Sequence, residues 1–177
     1  MIFNTLFIDI KLPIMNTPSN SGQLDRYDRQ ILQVLQEDGR ISNQDLADRI
    51  GLSPSPCLRR VRALEESGLI TGYRALLDAR ALGFSLMALI HISMDRHTPE
   101  RFERFEQQIG EIPEVMECLL ITGQAADYQL KVVVKDMDAY QALLLNRITR
   151  IEGITGVHSS FVLRRVIDKT ALPVAGG

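Results

Sequence analysis

The stretch Asn43–Leu69, NQDLADRIGLSPSPCLRRVRALEESGL, narrows the possible folds more than any other part of this chain. Leu46, Ala47 and Ile50 recur at helical spacing, Gly51 interrupts, and a second pattern follows with Cys57, Val61 and Leu64 on one side. Residues three and four apart on a helix share a face, so each segment is an amphipathic helix with an apolar stripe to bury. Two such helices joined through a glycine turn describe a helix-turn-helix, the unit that sets its second helix in a DNA groove. The second helix carries Arg59, Arg60 and Arg62, with no acid before Glu65.

The flanking residues supply the stops and starts. Ser42 or Asn43 caps the first of these helices, and Ser53 caps the second, with Pro54 at the position where a missing N–H costs nothing. Pro56 still lies in the first turn and is tolerated there. Upstream, LDRYDRQILQVLQ places Tyr27, Ile31, Leu32, Val34 and Leu35 on a helical stripe, opened by Asp25 and closed by Asp38-Gly39. Downstream, LITGYRALL contains a Thr-Gly turn between apolar positions, which predicts a short hairpin or wing. Residues 23–72 thus form a helix-turn-helix domain, and residues 73–82 a wing or linker.

Residues 1–22 stand apart. MIFNTLFIDIKLPIM is too short and too charged to span a bilayer and lacks the parts of a signal peptide, while NTPSNSG is a breaker-rich linker. Residues 1–14 are expected to be an extension, with Met15 as the alternative initiator. The other reading is an added strand or helix that packs on a partner subunit.

The second half changes period. FSLMALIHISM, VMECLLIT, YQLKVVVK and VHSSFVLRRV alternate as strands, and helices opening at Thr98-Pro99-Glu100 and at Asp136 or Asp138 lie between them. The order β-α-β-β-α-β over residues 83–167 is the ferredoxin-like arrangement, leaving residues 168–177 as a tail. Both helices cover one face of the sheet. The other face carries Met87, Leu89, Val133 and Val162, with His91 and His158 beside them, and predicts self-association. The fold class is therefore α+β, a winged helix-turn-helix followed by a ferredoxin-like domain.

The net charge of −2 excludes a protein coated in positive charge for indiscriminate polyanion binding, so any nucleic-acid contact depends on local charge sorting. Arg59 and Arg62 fall on the outer face of the third helix and Arg60 at the edge of its apolar stripe. Arginine meets phosphates and reads guanine edges, and Ser53 and Ser55 sit at the helix start, where hydroxyls and free N–H groups suit a phosphate. A solvated, salt-bridged helix face is the alternative. The turn TGQAAD, Thr122–Asp127, offers approachable backbone N–H groups, and Asp127 could meet a ligand ammonium. It is also an ordinary hairpin connection, the reading that sequence chemistry alone favours.

No nucleophile elbow, phosphate loop, dinucleotide fingerprint or zinc-protease motif occurs, and neither two cysteines nor three histidines show metal-ligand spacing. No catalytic residue, metal or cofactor is expected. A non-DNA amino-acid-binding module or small enzyme on the same fold is a rival reading, as is a nucleoid-organising protein of low sequence preference.

The run from LDRYDRQIL through DGRISN to GLSPSPCLRRVRALEESGLI is similar to the DNA-binding domain of the leucine-responsive regulatory protein (Lrp)/AsnC family. ITGQAADYQLKVVVKDMDAY resembles that family's effector domain, and the likeness covers residues 23–170. The resemblance implies a transcriptional regulator of the cytoplasm, associated with the nucleoid and binding double-stranded DNA as a homodimer that assembles further into tetramers or octamers. It also implies an amino-acid effector bound at subunit interfaces near the turn between the second and third strands. Carried onto this chain, Ser53, Ser55, Arg59, Arg60 and Arg62 are the DNA-binding residues, and Gly123, Gln124 and Asp127 the effector-binding ones. The turn here is one residue longer than in many members.

Overall fold

In the computed structural model, which describes residues 24–123 and 126–174, the chain divides into two units. The chain up to Ala75 joins with the residues from Lys169 onward, and Leu76–Asp168 make the other unit. The extension and linker expected over residues 1–22 lie outside the described residues.

The first unit holds α1 (Arg26–Glu37), α2 (Asn43–Ile50) and α3 (Pro54–Glu66). Helix α1 starts in a reciprocal capping box: Asp25 Oδ1 accepts from the Asp28 N–H at 2.9 Å, and Asp28 Oδ2 accepts from the Asp25 N–H at 3.2 Å. Ser42 caps α2 by accepting from the Asp45 N–H at 3.1 Å. Gly51 ends α2 at φ 73°, a left-handed conformation that glycine adopts without a Cβ penalty. The three helices close over Ile31, Leu46, Ala47, Ile50, Cys57 and Leu64. Burial raises the pKa of the Cys57 thiol, which serves there as a small apolar side chain.

Two features of this unit add to the sequence-based expectation. The segment after α3 forms no strand among the described residues. Leu69 and Ile70 instead donate their N–H groups to the Leu64 carbonyl at 3.1 Å each, and Ile70 packs on the core. The tail belongs to this unit. The Gln36 amide pairs with the backbone of Leu172 in both directions, donating at 3.2 Å and accepting at 2.6 Å, and Val174 packs against the three-helix core.

The second unit follows the order β1 (Leu86–Met94), α4 (Pro99–Gly110), β2 (Val115–Leu120), β3 (Tyr128–Val134), α5 (Met137–Asn146) and β4 (Ile154–Phe161). The four strands pair antiparallel in the order β2-β3-β1-β4. Ala88, Ile90, Ile92, Leu130 and Val132 face α4 and α5, whose Phe105, Ile109, Tyr140 and Leu143 complete the core. Fully burying each such side chain contributes about 1.5–3 kcal/mol.

Strand β4 starts earlier and stops earlier than its alternation suggests. Gly156, which reads as a breaker, lies inside the strand opposite Ser93, where an added Cβ would sit 3.3 Å from the Ser93 Cβ. The pairing ends at Val162, whose N–H reaches the Met87 carbonyl at 2.9 Å, because β1 begins only at Leu86.

The helix-free face is more mixed than expected. Met87 lies opposite Val133, and Leu89 opposite Lys131 and Ser160. His91 lies opposite Gln129 and His158, with the two imidazoles 6.5 Å apart. Lys131 pairs with Glu117 on the same face at 3.3 Å. Apolar and polar side chains thus share this face, with Leu119 beside Gln129 and Ser160 beside Leu89.

Candidate nucleic-acid interface and effector turn

The angle between α2 and α3 is set by backbone and one side chain. After Gly51, the Leu52 N–H bonds the Ala47 carbonyl at 2.9 Å. Asn43, the first residue of α2, donates its side-chain amide to the Pro54 carbonyl at 2.9 Å, tying the starts of the two helices together. Cys57 and Leu64 of α3 are sunk in the core. Ser55, Arg59 and Arg62 fall on the opposite side at spacings of four and three residues, and all are exposed.

Neither Arg59 nor Arg62 takes part in an ion pair among the described residues. Ser53 makes no side-chain capping bond, and α3 has no acid in its first turn. The start of α3 thus presents two exposed hydroxyls and the helix dipole, and Arg59 and Arg62 follow along its exposed side, an arrangement suited to phosphate and base edges.

Arg60, unlike Arg59 and Arg62, is engaged within the unit. Its guanidinium Nη1 lies 2.7 Å from Asp25 and 2.8 Å from Asp28, and the group sits over the Tyr27 ring at 5.5 Å. The Asp28 hydrogen bond and then the Asp25 contacts raise its pKa still further above an already high value. Asp25 is held below the usual carboxylate range, chiefly by the Asp28 N–H and further by Arg60. Helical geometry explains the split, since one residue's rotation from Arg59 turns Arg60 toward the buried side, where α1 waits with two acids.

The effector turn follows β2. Gly123 is exposed, and Gln124 lies outside the described residues. Asp127 is anchored from both ends: its N–H donates to the Ile92 carbonyl and its carbonyl accepts from the Ile121 N–H, each at 2.8 Å. Its carboxylate accepts from the Met94 N–H at 2.7 Å through Oδ2 and meets His97 Nε2 at 2.6 Å through Oδ1. Asp127 therefore enters the site already partnered. His97 escaped sequence reasoning, because only the antiparallel sheet brings the end of β1 beside a turn thirty residues later.

Next to the turn, an open cleft of about 390 Å³ runs between α4 and β2, lined by Glu106, Ile109, Val115, Met116, Cys118 and Tyr128. Tyr128 donates its hydroxyl to Glu106 at 2.7 Å. Burial, then this bond to an acid, pushes the phenol pKa far up, so it stays a neutral donor. Burial and Glu106 likewise push the Cys118 thiol up to about 11, the opposite of what a reactive thiolate needs. Among the described residues, no helix is long and apolar enough to cross a membrane.

Comparison with known proteins matches each unit. The family described as Lrp/AsnC ligand binding domain matches residues 87–172, and that described as winged helix-turn-helix DNA-binding matches residues 24–71. The Bkd operon transcriptional regulator of Pseudomonas aeruginosa is 46% identical over 153 residues, covering 86% of this chain and 99% of that protein. The leucine-responsive regulatory protein of Escherichia coli is 44% identical over 151 residues, covering 85% and 92%. A crystal structure of a transcriptional regulator from Neisseria meningitidis in complex with L-Met superimposes with a TM-score of 0.81 at 40% identity, covering 85% of this chain and 97% of that one.

Proposed function

This chain belongs to the Lrp/AsnC family of transcriptional regulators, and we propose how its own residues carry out that task. It is a sequence-specific DNA-binding regulator that joins a helix-turn-helix to an amino-acid-binding domain. It works by binding rather than by catalysis, in the cytoplasm and on the nucleoid. The observation that carries the reading is the separation of the α3 arginines: Arg60 is spent on α1, while Arg59 and Arg62 stand exposed beside Ser55.

Two copies associate through the helix-free sheet face and set two α3 helices on successive major grooves of double-stranded DNA. Ser53 and Ser55 hold phosphate, and Arg59 and Arg62 read bases. The homodimer assembles further into tetramers or octamers. An amino acid binds near Gly123, Gln124 and Asp127; the methionine complex of the Neisseria relative supports that class of ligand. It shifts the assembly by binding one arrangement more tightly than another.

Titration of an operator duplex at several salt concentrations tests the reading. Binding should weaken steeply with salt, and Arg59→Ala should cost about 1–3 kcal/mol at fixed salt. Full affinity in the variant rejects a base-reading role for Arg59, and salt-independent binding rejects phosphate docking altogether.

A further inference from the structure

Asn43 opens α2, and its side chain is half-buried. Its amide donates to the Pro54 carbonyl at 2.9 Å, eleven residues away on α3. Its Oδ1 is buried with no hydrogen-bond partner among the described residues. An amide satisfied at one end only carries a desolvation cost that a leucine of similar size would avoid. Fold stability alone gives little reason for an asparagine here, whereas the target of its donor does. That target is the first residue of α3, the helix that carries Arg59 and Arg62. The start of α3 has few other directional anchors. Ser53 makes no side-chain capping bond, and Pro54 and Pro56 have no N–H to give. Cys57 is buried in the core, but apolar packing is non-directional and tolerates a small tilt.

We propose that Asn43 is a positioning residue for sequence reading: its bond to Pro54 fixes the pitch of α3, so that Arg59 and Arg62 meet base edges. The role rests on the reading that these two arginines contact bases. Measured along the helix axis from Pro54, Arg59 lies about 7.5 Å away and Arg62 about 12 Å. A tilt of about 5° at the start of α3 thus displaces Arg62 by about 1 Å. A bidentate bond to a base edge does not survive that shift, because donor and acceptor must lie within about 2.7–3.2 Å and nearly in line. A phosphate is met by charge, and a long side chain can follow it. Without the Asn43 bond, discrimination between sequences is lost while attraction to the DNA backbone is kept.

The test uses the full chain and two probes: a duplex that the parent protein enriches from a random-sequence pool, and mixed duplex from the starting pool. Discrimination is the ratio of the two affinities in parallel gel-shift titrations. Asn43→Leu keeps the side-chain volume without the donor, and Asn43→Ala removes both. Each should lower the ratio about threefold to tenfold by weakening the enriched duplex. Affinity for mixed duplex and its dependence on salt should match the parent's. A merely structural role cannot produce this split, since a loss of folded protein weakens both duplexes equally and leaves the ratio unchanged. In a chain that also carries Arg59→Ala and Arg62→Ala, Asn43→Leu should leave the ratio where those changes put it. A further drop of the same size there overturns action through the arginines. If Arg59→Ala lowers the ratio and neither Asn43 variant does, the positioning role is overturned while base reading survives. If the parent itself shows no preference for the enriched duplex, both readings fall.

Discussion

Replacing Arg60 with alanine separates two roles that adjacent arginines on one helix can be given. Arg60 contacts Asp25 at 2.7 Å and Asp28 at 2.8 Å and stacks over Tyr27 at 5.5 Å. The Arg60 and Asp28 side chains are 31% and 20% exposed, so their pair lies between bulk water and a dry interior. An exposed ion pair contributes about 0.2–1 kcal/mol, and a cation–π contact at such a site about 0.5–1 kcal/mol. The Asp28 and Tyr27 contacts together are then worth roughly 1–2 kcal/mol. The Asp25 contact acts in the same direction.

Arg60→Ala should therefore lower the stability of the first unit by that amount in urea unfolding followed by helical circular dichroism. Operator affinity, measured where the variant is folded, should stay within about threefold of the parent. The salt slope should also be unchanged, whereas losing a phosphate contact would reduce it by about one. Acid provides a second check. Asp25 has its pKa lowered from the ordinary 3.8, so its contribution is complete above that value and is lost as pH falls through the folded-state value. The stability gap between parent and variant should then be constant near neutrality and narrow below the ordinary aspartate range. Unaltered stability, combined with a loss of about 1–3 kcal/mol in operator affinity, would refute the bracing role and return Arg60 to the DNA surface.

Leu89→Arg places a charge in the middle of the helix-free sheet face; it should weaken self-association by about 2 kcal/mol or more, read by sedimentation across a dilution series. Gln36→Ala removes both bonds to Leu172. It should cost about 1 kcal/mol and abolish hydrogen-exchange protection of the Leu172 amide, and retained protection would mean that Val174 alone holds the tail. Gly153 has φ +98°, and a Cβ there would lie 2.7 Å from Arg101 Cδ and 3.0 Å from Asp95 Oδ1. Gly153→Ala should thus lower the urea midpoint of the second unit by the equivalent of about 1–3 kcal/mol, and an unshifted midpoint would show that the turn relaxes freely.

Local chemistry made most of the architecture legible in advance. Asp25 and Ser42 start helices because their side chains cap free N–H groups, Pro54 opens α3 at a position where its missing N–H costs nothing, and Gly51 ends α2 because a left-handed residue is needed there. The alternation Ala88, Ile90, Ile92 could bury only one face of a strand, and it does. Interruptions were harder to read. Gly156 breaks helices in isolation, yet here its missing side chain lets β4 pass close to Ser93, a fact about the neighbouring strand.

The sequence by itself determined the two kinds of unit, their order and the exposed arginines of α3, because those follow from periods and caps within a few residues. Tertiary structure alone decided which charges are left to act. Arg60 and Arg59 are neighbours of the same type, and only the packing of α1 on α3 turns one into a brace and leaves the other to solvent. His97 and Asp127 likewise acquire each other only when the sheet closes, and Gln36 meets Leu172 only when the tail returns. Contacts between residues distant in the chain depend on distances set by the folded core, which no local pattern carries.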